Sequence, residues 1–255
     1  MRLDRFLCQM NMGSRSDVKA LIRKKQVMVN GMAATSPEQK IDETKDIIIC
    51  QGNVLSYQPY VYYMMNKPQG VVSATIDNQD VTVLDLLKPL LPLQDQKRKI
   101  IPAGRLDKDT EGLLLLTDNG ALVHNLLSPK KHVDKTYLVG ISHPLTQDDI
   151  AKLEQGVDIS ATAPPAEKES QRDKPTLPAT VIVQEETTIT LTIHEGRFHQ
   201  VKRMLQAIDN EVISLKRISF GGLELDPALA AGDCRALTEE EVNRLHRLNT
   251  AINTF

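Results

Sequence analysis

The apolar positions at the start of the chain fall at helical spacing. Leu3, Phe6 and Leu7 stand at i, i+3 and i+4, the interval that lines up one helix face. After Met12-Gly13, Ser14 is placed to cap a second helix with Asp17 as its reciprocal partner. Val18, Leu21 and Ile22 form the apolar face of that helix, and Arg15, Lys19 and Arg23, four residues apart, line one face as well. Val27-Met28-Val29 alternates and runs into Asn30-Gly31, a hairpin turn signal. Ile47-Ile48-Ile49 predicts another short strand. Gln51 to Tyr60 then turns polar, with Gly52, Asn53, Ser56, Gln58 and Pro59, and reads as a linker.

Beyond the linker the pattern is richer in strands. Tyr62–Met65 and Val71–Ser73 flank a turn at Asn66-Lys67-Pro68-Gln69-Gly70, and Leu113–Leu116, Thr136–Gly140, Val181–Val183 and Thr188–Ile193 are further predicted strands. Helices are predicted at Val83–Leu87, Ala121–Leu127, Gln147–Glu154, His199–Ala207 and Glu239–Leu248. Ala161 to Pro178, rich in Pro, Glu, Lys and Ser, predicts a surface loop. Strands and helices mix without regular βαβ alternation, so the expected class is α+β.

At 255 residues the chain suits one large domain or two unequal ones and is long enough for a sizeable core. Mean hydropathy is -0.27, and no run approaches the ~18 apolar residues of a membrane-spanning helix. Met1-Arg2-Leu3-Asp4-Arg5-Phe6 has neither the apolar core nor the cleavage site of a signal peptide, so a cytoplasmic protein without membrane partners is expected. Cys8, Cys50 and Cys234 are scattered and lack CxxC spacing, which argues against a disulfide framework or a zinc site. Charge is unevenly spread. Residues 1–40 hold eight basic residues (Arg2, Arg5, Arg15, Lys19, Arg23, Lys24, Lys25, Lys40) against three acidic ones, a balance of +5, which leaves -7 for the rest of a chain whose total is -2. A basic N-terminal segment on an acidic remainder fits a nucleic-acid-binding appendage, or a solvated helix face.

Two segments concentrate the chemistry. Gly104-Arg105-Leu106-Asp107-Lys108-Asp109-Thr110-Glu111-Gly112 precedes the Leu113–Leu116 strand. A carboxylate held there beside a cation stays ionised and available as nucleophile or base, whereas the plainer reading is an acidic surface turn. In His194-Glu195-Gly196-Arg197-Phe198-His199-Gln200-Val201-Lys202-Arg203 the three cations suit a phosphate or a buried carboxylate. His194 and His199 lack a third ligand nearby, so no metal is expected. Tyr137, in Lys135-Thr136-Tyr137, is the only tyrosine after Tyr63. No phosphate-binding loop, dinucleotide fingerprint, G-x-S-x-G or H-E-x-x-H is present, so an enzyme built on this chain is expected to use neither nucleotide nor metal.

Taken together, Met65–Gly70 (MNKPQG), Gly104–Thr117 (GRLDKDTEGLLLLT), Lys135–Tyr137 (KTY) and Glu195–Met204 (EGRFHQVKRM) resemble, in order, the RsuA family of ribosomal pseudouridine synthases. The first forty-odd residues (RLDRFL, SRSDVKALI, VMVNG) are similar to the S4 RNA-binding domain that precedes the catalytic domain in that family, with Lys25 standing where glycine is usual. The resemblance implies an S4 domain over residues 1–58 and a catalytic domain over residues 59–255, the latter with a mixed, largely antiparallel sheet flanked by helices.

By the same resemblance Asp107 matches the catalytic aspartate and Tyr137 the tyrosine that stacks on the target base. Lys202, with Arg203 as the alternative, matches the basic partner of the aspartate. Arg105 resembles the arginine that holds the flipped nucleotide, and Leu215 an aliphatic residue lining the pocket. Arg2, Arg5, Arg15, Lys19, Arg23, Lys24 and Lys25 are the expected RNA-binding cations, and no cofactor is implied. The implied reaction isomerises one uridine of 16S ribosomal RNA to pseudouridine, at uridine 516, on a small-subunit assembly particle and with the protein as a monomer. A 23S target is the alternative within the family; those relatives more often read N-R-Q-I-R-R where this chain has Phe198 to Arg203. A non-catalytic S4 assembly factor is the alternative outside it.

Overall fold

The computed structural model describes residues 1–55, 57–163 and 174–253, the last three by backbone only. The chain divides into two compact units, Met1–Val61 with Lys88–Lys99, and Tyr62–Leu87 with Ile100–Phe255.

In the first unit, helices α1 (Leu3–Gln9) and α2 (Arg15–Arg23) pack on a four-stranded sheet. The strands are β1 (Val27–Val29), β2 (Met32–Ala33), β3 (Ile48–Cys50) and β4 (Asn53–Leu55), in the order β2-β1-β3-β4. The capping box at α2 is formed: the Ser14 hydroxyl accepts from the Asp17 N–H, and the Asp17 carboxylate accepts from the Ser14 N–H at 2.9 Å. Leu3, Phe6 and Leu7 pack with Val18, Ile22, Val27 and Ile48 in one apolar cluster. Asn30-Gly31 makes the β1–β2 turn with φ of 51° and 81°, the left-handed pair a two-residue hairpin demands.

The expected linker is shorter than read. Gln51 and Gly52 also take positive φ, 50° and 83°, and fold Asn53–Leu55 back on β3 with Leu55 buried. A polar stretch with a turn at its head is thus a hairpin arm. Lys88–Lys99 belongs to this unit because Arg98 donates to the Gln58 carbonyl at 2.6 Å and Asn11 to the Leu93 carbonyl at 2.8 Å.

The second unit is built on one sheet. Its strands are β5 (Tyr62–Lys67), β6 (Ile101–Pro102), β7 (Glu111–Thr117), β8 (Lys135–Ile141), β9 (Thr180–Glu185), β10 (Thr188–Ile193), β11 (Val212–Phe220), β12 (Leu223–Glu224) and β13 (Cys234–Ala236). The order is β13-β5-β7-β11-β8-β10-β9, with β6 on β7 and β12 on β11. β7 and β11 run parallel and the other strand pairings are antiparallel. Helices α3 (Val83–Leu87), α4 (Gly120–Leu127), α5 (Gln147–Gln155), α6 (Gln200–Gln206) and α7 (Glu239–Asn253) complete it, an α+β fold with a mixed, largely antiparallel sheet.

Leu113 to Leu116 are all fully buried, so β7 is covered on both faces. Leu113 and Leu115 pack with Leu122 and Leu126 of α4 and Leu245 of α7. Gly112 is required where it stands: its φ is 102°, and a Cβ there would lie 2.2 Å from the Arg217 carbonyl oxygen of β11. The absent side chain lets the parallel pair form.

Two expectations about strands are corrected. Val71–Ser73 is no strand; Val72 makes only an isolated bridge to Thr82. β11, a central strand, was not predicted. Its register shifts between Val212 and Ser214 and again between Arg217 and Ser219, and such bulges break the alternation by which a strand is recognised. The loop expected over Ala161–Pro178 lies mostly outside the described residues.

Candidate active site

The segment before β7 is held in place from beneath. Lys67, at the end of β5, is fully buried, and its ammonium donates to the backbone carbonyls of Asp107 (2.9 Å), Thr110 (2.8 Å) and Pro68 (3.1 Å). The Ser73 hydroxyl donates to the Leu106 carbonyl and accepts from the Leu106 N–H, at 2.9 and 3.0 Å. The Gly70 N–H donates to the Lys108 carbonyl at 2.8 Å. Residues 67–73 thus fix the backbone of the loop, while Asp107 remains half-buried and turned outward. Burial pushes the Lys67 ammonium down to about 8, against the pull of Asp107 and Asp109.

Opposite this loop, α6 opens at His199, a non-glycine residue in the left-handed conformation with φ 46°. His199 and Lys202 are three residues apart and share a face. That face meets the loop: His199 Nε2 lies 3.5 Å from Asp107 Oδ1, and Lys202 Nζ lies 3.5 Å from Asp107 Oδ2. Lys202 also donates to both oxygens of Asp109, at 2.6 and 2.8 Å, and that ammonium holds the Asp109 carboxyl below the usual carboxylate range. Arg203, one residue on, points about 100° away around the helix. Its guanidinium is buried and donates to the carbonyls of Ile159 (2.6 Å) and Phe198 (3.0 Å) and to the Thr162 hydroxyl (3.1 Å). The structure brings Lys202, and not Arg203, to Asp107.

These groups open on a cleft of about 700 Å³ lined, among others, by Arg105, Asp107, Tyr137, Phe198, Leu215 and Arg217. Tyr137 and Leu215 are buried on the facing strands β8 and β11, and Arg105 is exposed at the edge. Glu195 and Arg197 brace this wall. The Glu195 carboxylate accepts from the Leu177 N–H and from Gln200, each at 3.0 Å, while Arg197 donates to the carbonyls of Lys174 and Pro175 at 2.7 and 2.8 Å. Arg197 is therefore spent on backbone oxygens and on the Glu195 carboxylate, 3.3 Å from its Nε.

Sequence reading missed Lys67, taken as part of a plain turn, and Arg217. For Lys67 the available signal was a lone cation closing the apolar run Tyr62–Met65. Arg217 offered none, because its strand went unrecognised. Among the described residues no cluster of three or more His, Cys, Asp or Glu is arranged to hold a metal.

On the first unit, Arg5, Arg15, Lys19, Arg23, Lys24 and Lys25 are all exposed and form no ion pair among the described residues. Arg2 differs: its guanidinium is engaged by Asp4 at 2.8 Å and Glu38 at 3.2 Å. Lys25 takes the glycine-like conformation of its turn, with φ 56°. No helix among the described residues is long and apolar enough to cross a membrane.

The RNA pseudouridylate synthase family matches residues 61–207, and the S4 domain matches residues 1–48. An uncharacterised RNA pseudouridine synthase of Bacillus subtilis, YtzG, is 46% identical over 98% of this chain and 98% of its own. The ribosomal small subunit pseudouridine synthase A of Escherichia coli is 40% identical over 95% of this chain and 98% of its own. A crystal structure of a pseudouridylate synthase superposes with a TM-score of 0.62 at 35% identity, covering 96% of this chain and 99% of that one.

Proposed function

Since the chain belongs to the RNA pseudouridylate synthase family, as an S4-bearing pseudouridine synthase of the RsuA type, we propose that it isomerises one uridine of 16S ribosomal RNA, uridine 516, with Asp107 as the reacting carboxylate. The observation that carries the reading is Asp107 itself. It is a half-exposed carboxylate on a loop pinned by Lys67 and Ser73, with Lys202 at 3.5 Å, on a cleft it shares with Tyr137.

The chemistry needs little else. The N1–C1′ bond must break, the uracil must turn, and C5 must bond to C1′. A carboxylate can attack C1′ or take the proton from C2′; in either case it must be ionised, and the Lys202 ammonium lies 3.5 Å from it. Flipping the uridine out of the RNA costs stacking energy, and an aromatic face such as Tyr137 returns ~1–3 kcal/mol of it. Leu215 closes the apolar side of the cleft, and Arg105, at its edge, is available to the RNA backbone. Arg203 has no part in substrate contact in this reading, because its donors are used inside the fold.

We assign the division of labour to residues 1–58 for RNA docking and residues 59–255 for chemistry. The unpaired cations of the first unit support the former. The 16S target is supported by the small-subunit relatives, which match nearly the whole chain. To test it, the wild-type protein is incubated with unmodified 16S and 23S RNA, free and in assembling particles, and pseudouridine is mapped by carbodiimide treatment and primer extension. The reading predicts a single new stop, at uridine 516 in 16S RNA. A stop in 23S RNA alone would move the target to the large subunit.

A further inference from the structure

Two buried cations in the cleft have no ion-pair partner among the described residues. Arg217 is 2% exposed and Lys135 9%, and neither forms an ion pair among the described residues. The Arg217 guanidinium donates from Nε to the Leu113 carbonyl at 2.8 Å, lies beside the Tyr137 hydroxyl and stacks 4.7 Å over the Phe220 ring. Its Nη2 is buried and has no hydrogen-bond partner among the described residues. Lys135 donates to the Val133 carbonyl at 2.7 Å and sits 5.7 Å over the same ring. Both line the cleft with Asp107 and Tyr137. Burial and then the nearby guanidinium push the Lys135 ammonium down to about 8, against the pull of Asp134 and Glu195.

An unpaired buried charge is costly, and two side by side more so, unless something in the working state answers them. Asp134 and Glu195 act on the Lys135 ammonium only from beyond ion-pair distance, and among the described residues no carboxylate answers Arg217. The reaction supplies negative charge at this point, by either route of Asp107. When N1–C1′ breaks, its electron pair stays with the uracil, while C1′ bonds to the Asp107 oxygen or C2′ gives its proton to that oxygen. The detached base is then an anion whose charge spreads over O2 and O4. As C5 bonds to C1′, C1′ releases the Asp107 oxygen or, on the other route, C2′ takes its proton back from it; the C5 proton is then lost and N1 gains one, so the base ends neutral.

We infer that Arg217 and Lys135 form a subsite for this transient uracil anion, with Arg217 Nη2 donating to an exocyclic oxygen of the ring. The inference deepens the proposed use of the cleft and rests on it. It also accounts for Gly112, whose missing side chain lets the Arg217 backbone approach β7.

The test uses the full-length protein and RNA tritiated at C5 of uridine, comparing single-turnover release of tritium with RNA affinity. Arg217→Met and Lys135→Met should each slow release by about 100-fold, the range for losing one donor to a developing anion, with RNA affinity changed less than about threefold. Arg217→Lys should recover about tenfold of the loss, as a charge effect requires and a packing effect does not. If Arg217→Met does not fold, Lys135→Met decides. Release within about threefold of wild type, or rate and affinity falling together without recovery in Arg217→Lys, overturns the subsite. Asp107→Asn serves as the control: release persisting in that variant would instead refute the proposed cleft chemistry as a whole.

Discussion

The Lys67 ammonium sits 2.9 Å from the backbone carbonyl oxygen of Asp107 and is itself fully buried. A charge is thus stored beneath the carboxylate on which the proposed chemistry depends, held by carbonyl dipoles and, at longer range, by the pull of Asp107, Asp109 and Glu111. Burying it pushes the Lys67 ammonium down to about 8.

Lys67 and Lys135 both titrate at about 8 in the folded protein, against 10.5 for a free lysine. Between those values the unfolded chain binds more protons than the folded one, so stability rises with pH in that window. Below about 8 the penalty of burying both charges is fully present. Above about 10.5 it is gone. Each lysine should contribute ~2–3 kcal/mol across the window. Urea unfolding of the wild type and Lys135→Met at pH 7.5, 9 and 10.5 checks this. The variant should show a smaller rise, and equal slopes for the two proteins would contradict the assignment of Lys135.

Lys202 and Arg203 are neighbours that should fail differently. Lys202→Met removes the cation between Asp107 and Asp109 and should lower single-turnover rate by ~10–100-fold, with little change in RNA affinity or Tm. Arg203→Met removes the guanidinium donors to the buried carbonyls of Ile159 and Phe198 and should cost ~2–4 kcal/mol of stability. A Lys202 variant that lowers Tm as much as the Arg203 variant would undo this distinction.

The basic helix of the first unit gives a salt-dependence prediction. Arg15→Glu and Lys19→Glu should weaken RNA binding and reduce the slope of log K against log salt by about 0.7 for each lost phosphate contact. Arg2→Ala should do less, because Asp4 and Glu38 already neutralise that guanidinium. An unchanged slope in the double variant would remove RNA docking from this face.

What could be read in the sequence was local. The Ser14–Asp17 capping box and the Asn30-Gly31 hairpin depend on a few consecutive residues, and both are formed as read. The four β7 leucines likewise announce a doubly covered strand. β4 was mistaken for linker because Gln51, a non-glycine, takes half of a left-handed turn. β11 was hidden by two bulges. The site was legible only as far as it lay in consecutive motifs. Asp107 and Tyr137 came with theirs, whereas Lys67 and Arg217 act through partners 40 to 104 residues away in the chain, a pairing that spacing does not reveal.

Asp107 is the group on which the proposed chemistry depends. The most direct measurement incubates unmodified 16S RNA in assembling small-subunit particles with wild-type protein or with Asp107→Asn, a change of nearly equal volume that removes the charge. RNA affinity and Tm are measured on both proteins, and pseudouridine is mapped by primer extension. The prediction is one modified uridine with wild type and none with the variant, at matched affinity and stability. Modification by Asp107→Asn at a rate near that of wild type would contradict it, and the reacting carboxylate would have to be sought elsewhere in the cleft.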